Sequence, residues 1–153
     1  TVGYLEAPFA ERTIVHAGRQ AMPLKFDNTA APFYSEAERT FDAPQDWTAH
    51  EADTLCVFFH GAAPLPGSTA QGLYLMVKDT AGKSKTVAHP DATATAKASW
   101  QQWKIPLGEF TAAGVKVTAV KTLTIGVGNR ASPAPGSTGI LYVDDIGYGR
   151  SLP

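Results

Sequence analysis

Two consecutive carboxylates, Asp144 and Asp145, sit inside an apolar stretch at residues 139–146. Branched and aromatic residues with no helix cap and no 3.6-residue period read there as a β-strand. Alternation places Tyr142, Asp144 and Ile146 on one face and Leu141, Val143 and Asp145 on the other. Such charges are costly to bury unless something pairs with them; a bound cation or a sugar-binding groove would supply the partner. Diverging side chains cannot act as a pair on one substrate, so the two aspartates do not make a glycosidase. Glu36 and Glu38 share a face and could pair, but nothing near them marks a cleft. The 4 histidines, His16, His50, His60 and His89, lack metal-binding spacing. There is no Gly-x-Ser-x-Gly elbow, and Gly126-x-Gly128 lacks the rest of a phosphate loop. Cys56, alone in an apolar run, reads as a small buried residue rather than a nucleophile. The pattern gives catalysis no positive support; a lyase using scattered Tyr, Arg and His stays open.

The elements that must position these residues follow from length and punctuation. A chain of 153 residues suits one domain and is long enough for an apolar core without disulfide staples. Net charge is -1, with no basic patch of the kind nucleic acid demands. No apolar run reaches membrane-spanning length. Thr1 reads as a mature or trimmed start with no leader pattern, so the compartment is not directly legible.

Proline and glycine, 11 and 14 of them, separate short runs of strand length. Residues 20–27 form a strand with Met22, Leu24 and Phe26 inward, and Pro23 marks it as an edge or a bulge. Residues 37–41 follow, with Ala37, Arg39 and Phe41 on one side. The near-continuous apolar run 54–60 predicts a strand covered on both faces. Residues 72–79 set Leu73, Leu75 and Val77, the core face, against Tyr74, Met76 and Lys78. A glycine-containing loop at 79–83 returns the chain as strand 84–89. Runs 100–107, 121–128 and 139–147 complete the set. Residues 35–39 have helical propensity but are too few, and 91–99 could hold one turn. Loops 61–71 and 130–137 are stiffened by proline. Many short strands with frequent turns point to an antiparallel β-sandwich.

Several motifs stand in a recognisable order. They are His16 to Met22, Asp46-Trp47-Thr48, the Trp-x-Ile-Pro-Leu at 103–107, the run 120–128, and the closing Tyr-x-Asp-Asp-Ile at 142–146. This order resembles the galactose-binding-like jelly-roll domains used as carbohydrate-binding modules beside secreted glycoside hydrolases and polysaccharide lyases. The resemblance implies an all-β, antiparallel β-sandwich at residues 1–153. It implies a non-catalytic module, secreted or at the cell surface, monomeric, that holds an attached catalytic domain against a polysaccharide. A structural calcium joining the first strand to the last is also implied, with Glu6, the Gly18–Arg19 turn and Asp144 as its ligand positions. Glu11 could replace Glu6. Without the ion, Asp144 would hydrogen-bond main-chain amides or the Arg19 side chain. A spacer domain of the same fold and a small glycan-active enzyme are the alternatives.

Sugar-binding modules stack an aromatic ring on the apolar face of a pyranose while polar neighbours fix its hydroxyls. Trp103 alternates with Ile105 and Leu107 and belongs to the core, as does Trp47. Trp100, outside that alternation, is the stacking candidate. Tyr74 and Lys78 point to a groove or to solvent, and His60 ends its strand at the surface. Gly126 and Gly128 leave one strand face bare, which invites the close approach of a ligand or of a packed Trp or Tyr. Asn129 and Arg130 follow, and a guanidinium fork reads hydroxyls or carboxylates well. The expected sugar contacts are therefore Tyr74, Trp100, Asn129 and Arg130, with Lys78 and His60 behind them.

Overall fold

The computed structural model describes residues 1–63 and 68–150. Eight strands frame it: β1 (Met22–Asp27), β2 (Tyr34–Gln45), β3 (Thr54–His60), β4 (Leu73–Asp79), β5 (Ser84–Ala88), β6 (Trp100–Pro106), β7 (Val120–Gly128) and β8 (Thr138–Gly149). They form two sheets of 4 strands each, ordered β1-β8-β3-β6 and β2-β7-β4-β5. Every pairing is antiparallel. Period-2 alternation explains the layering. Leu24 and Phe26 of β1, Leu55, Val57 and Phe59 of β3, and Leu141 and Val143 of β8 face Leu73, Leu75 and Val77 of β4 and Leu123, Ile125 and Val127 of β7. Trp47, Trp103, Ile105, Leu107 and Phe110 close the same core. The sandwich expected from the turn signals is thus the architecture found.

Several local expectations are corrected. β3 is buried on one face: Leu55, Val57 and Phe59 are 1–2% exposed, whereas Thr54, Cys56, Phe58 and His60 are half-buried. Cys56 therefore lies on the outer face, where Gln102 Nε2 approaches Sγ at 3.1 Å. β2 is longer than expected, because pairing with β7 holds residues 34–40 extended despite their helical propensity. A four-residue helix, α1 (Gly108–Thr111), tucks Phe110 into the core, and residues 94–96 make the single turn expected in 91–99. β1 is an edge strand, one of the two settings Pro23 allows. Pro64, Pro66 and Gly67 of the loop 61–71 lie outside the described residues.

β8 does not keep its alternation. Its register against β3 shifts between Cys56 and Phe58, and Asp145 adopts a left-handed φ of 44°. This is a β-bulge, and it re-aims the side chains that follow it.

Candidate functional site

A broad groove of about 930 Å³ lies over the outer face of β4 and β5. Its floor follows from the hairpin register, which sets Tyr74 against Ala88 and Met76 against Thr86. The loop 128–135 forms one wall, and Gln71 and His89 stand at the end. Tyr74 is 3% exposed, so it is not the free stacking platform expected of it. The reason is register: Tyr74 pairs with Gly126 on β7, and its ring fills the space a Cβ would need there. Glu36 sits across the same glycine on β2. The Tyr74 hydroxyl donates to Glu36 Oε1 at 2.7 Å. Burial first, then the neighbouring carboxylate, hold the phenol far above its ordinary pKa. The bare glycine face thus accommodates a packed tyrosine.

Arg130 closes this network. Its Nη1 donates to both Glu36 oxygens at 2.8 Å, and its guanidinium lies 5.6 Å from the Tyr34 ring centre. Asn129 builds the wall: its Oδ1 accepts from the Ala131 and Ser132 amides at 3.0 and 3.1 Å. His89 is pushed towards its neutral form chiefly by burial against Phe59 and Trp103. Lys78 is half-buried and does not line the groove.

His60 and Trp100 lie elsewhere. They face each other across β3 and β6, and Tyr142 of β8 is the other neighbour of His60. Rings of His60 and Trp100 meet edge to face at 5.5 Å. These strands belong to the other sheet, so their outer face looks away from the groove. The six expected contacts therefore cannot make one site. Alternation assigns a residue to a face of its strand, but not a strand to a sheet.

The bulge brings Asp144 and Asp145 to the same segment instead of letting them diverge. Asp144 Oδ2 accepts from the His16 and Ala17 amides at 3.0 and 3.3 Å. Asp145 Oδ2 lies 2.6 Å from His16 Nδ1, and the imidazole stacks on Phe58 at 3.7 Å. The chain before β1 is thereby fastened to β8. Glu11 fastens its other end: Oε1 accepts from the amides of Arg12, Thr13 and Ile14, and Oε2 accepts from the Tyr4 hydroxyl. The Tyr4 hydroxyl, then the Thr13 amide, lower its pKa to about 2. Glu6 and Arg19 are exposed. Among the described residues, no group of three or more His, Cys, Asp or Glu side chains is gathered as a metal would need. The Asp144 oxygens are met by N–H donors.

No family model matches the sequence, and no curated protein matches it. Solved structures do. A family 30 carbohydrate-binding module superposes with a TM-score of 0.64 at 16% identity, covering 94% of this chain and 76% of that one. The family 30 module of a Clostridium thermocellum cellulosomal cellulase gives 0.63 at 15%, covering 93% and 81%. An exo-beta-agarase gives 0.65 at 12%, covering 94% of this chain but 22% of the agarase. The chain shares its two-sheet β-sandwich fold with these modules. At these identities the likeness establishes the fold alone. This chain spans about a fifth of the agarase's length.

Within the jelly roll, Ser84, Thr86 and Ala88 were missed as groove residues. Their signal was present: once 79–83 is read as a hairpin, they must share the face of Tyr74 and Met76.

Proposed function

We propose that this domain is a non-catalytic carbohydrate-binding module whose polysaccharide lies in the groove over β4 and β5. The observation behind the reading is the groove itself: an open channel with Met76 and Ala88 on its floor and the hydroxyls of Ser84 and Thr86 beside them. That mixture suits a sugar, which presents C–H faces and hydroxyl edges together. Arg130 is the charged residue among the described lining, and Glu36 neutralises it. The reading therefore takes an uncharged glycan. The shared fold with carbohydrate-binding modules supports it, and the short span against the agarase fits a domain that tethers an attached secreted enzyme to its substrate.

Affinity electrophoresis in gels of neutral polysaccharides tests this. Retardation should vanish in Thr86→Lys, which puts a long charged chain on the exposed floor, and should survive Trp100→Ala on the opposite sheet. The reverse result would move the site to the other face. No retardation with any polysaccharide would leave a spacer domain of the same fold.

Calcium is carried as a separate proposal resting on the resemblance, with Asp144 as its strand-borne carboxylate and the 16–19 turn as its carbonyl source. An ion held only by the native form must raise the melting midpoint, so an unchanged midpoint after chelation removes it.

A further inference from the structure

We infer that a second saccharide site, specific for an acidic sugar residue, lies in the corner cleft between β2 and the end of β8. The choice of a sugar rests on the carbohydrate-binding reading; the choice of an acidic one rests on this cleft. β1 pairs with β8 only as far as Val143; residues 16 and 17 hold Asp144 just beyond it, and among the described residues no strand pairs with the end of β8 on that side. There the sandwich opens into a cleft of about 290 Å³, lined by Phe41, Trp47, Leu55, Leu123, Tyr148 and Arg39.

Tyr148 pairs with Leu55 and so faces the interior, yet it is 41% exposed. One face of its ring rests on Trp47, with centroids 6.0 Å apart and planes at 23°. Trp47 is itself 2% exposed and edge-to-face with Phe41. A solvent-facing ring held flat by a buried indole is a rigid platform for the C–H face of a pyranose. The volume fits about one sugar unit.

Arg39 supplies the charge. It pairs with Leu123 and therefore points inward from edge strand β2, into the cleft. Unlike Arg130, it has no ion-pair or hydrogen-bond partner among the described residues. An unpaired guanidinium above an apolar floor matches a carboxylate carried on a stacked ring, and its fork can grip both oxygens. An inward charge on an edge strand can also serve merely to block strand-to-strand association, and the experiment separates the two.

The test titrates the protein with methyl β-D-glucuronide and with methyl β-D-glucoside, which differ only in the carboxylate, following the Trp47 indole N–H by NMR. Expected is a saturable shift with the glucuronide and none, or one at least about tenfold weaker, with the glucoside. Arg39→Gln should erase that preference by about the same factor, and Tyr148→Ala should abolish binding of both. Arg130→Gln should change neither. The inference is overturned if the glucuronide gives no saturable shift, if Arg39→Gln leaves its affinity unchanged, or if the shifts map to the groove and respond to Arg130→Gln. Self-association appearing in Arg39→Gln without any loss of glucuronide affinity would assign Arg39 to edge protection and equally overturn it. Polysaccharide retardation through the groove is read independently, so either reading can fail alone.

Discussion

Arg130 and Arg39 stand at two openings of one molecule, and they are held in opposite ways. Arg130 is closed by a carboxylate, a tyrosine ring and the turn that Asn129 builds. Arg39 projects over an apolar floor with its charge unanswered among the described residues. The aromatic residues differ in the same sense. Tyr74 is consumed by packing on Gly126, whereas Tyr148 is propped on Trp47 with a face left over. One opening has spent its polar and aromatic groups on its own rigidity and presents hydroxyls. The other keeps them available.

The widest separation between the two should appear in stability. Tyr74→Ala removes a buried ring from above a glycine that cannot fill the void, at a cost of about 3–5 kcal/mol. Tyr148→Ala removes a half-exposed ring and should cost about 1 kcal/mol. Urea unfolding of both variants checks this. Equal costs would mean that Tyr148 is a structural residue and would take the platform away from the cleft. The same numbers make Tyr74→Ala a poor probe of binding, since loss of fold would mimic loss of a contact; Thr86→Lys serves instead.

Acid should mark the range over which the two openings can be compared at all. Glu11 has a folded pKa of about 2, below its ordinary 4.5, because it accepts the Tyr4 hydroxyl and three amides. A depressed carboxylate contributes stability that is fully present above the ordinary value and lost as pH falls towards the folded one. Stability should therefore drop by on the order of 2 kcal/mol between pH 5 and pH 2. Glu11→Gln should be less stable at neutral pH and flatter over that interval. A wild-type acid limb unaffected by the substitution would mean that Glu11 is not what fastens the segment before β1.

Exchanging the charge states would sharpen the contrast further. Glu36→Gln leaves Arg130 beside the groove without its counter-ion and so should give the groove an affinity for acidic sugars it lacks. The expected gain is about tenfold, read with the same glucuronide by shifts of residues 84–89. No gain would mean that the Tyr34 ring alone keeps Arg130 out of reach.

Much of this was legible in the residues. The alternation of 72–79 puts Leu73, Leu75 and Val77 on the core face, and Pro23 marks an edge or a bulge, of which the sheet order shows the edge. What alternation leaves out is pairing. Gly126 offered a bare face that a ligand or a ring could equally fill, and only its register with Tyr74 decides between them. Trp100 and His60 resembled partners of Arg130 until the sheet order placed them on the far side. Asp144 and Asp145 had to diverge in a regular strand, and a single left-handed residue turned both towards His16. The corner cleft is illegible for the same reason: alternation puts Arg39 on one face with Ala37 and Phe41, but only the pairing with Leu123 on β7 turns that face towards the cleft.

The smallest expected effect concerns salt. Glycan bound in the groove meets a charge already neutralised by Glu36, so its affinity should hold steady between about 0.02 and 0.2 M salt, where the screening length shrinks from about 20 to about 7 Å. A glucuronide in the cleft depends on one exposed guanidinium in a medium close to water. Such pairs are worth little more than about 1 kcal/mol, and counter-ions compete for them. Its affinity should fall by about two- to threefold over the same range, while the Arg39→Gln protein shows no slope. A salt slope that persists in Arg39→Gln would point to Lys or Arg elsewhere as the carboxylate's partner. A slope for the neutral glycan would show that Arg130 and Glu36 separate when the groove is filled, erasing the distinction between the two arginines.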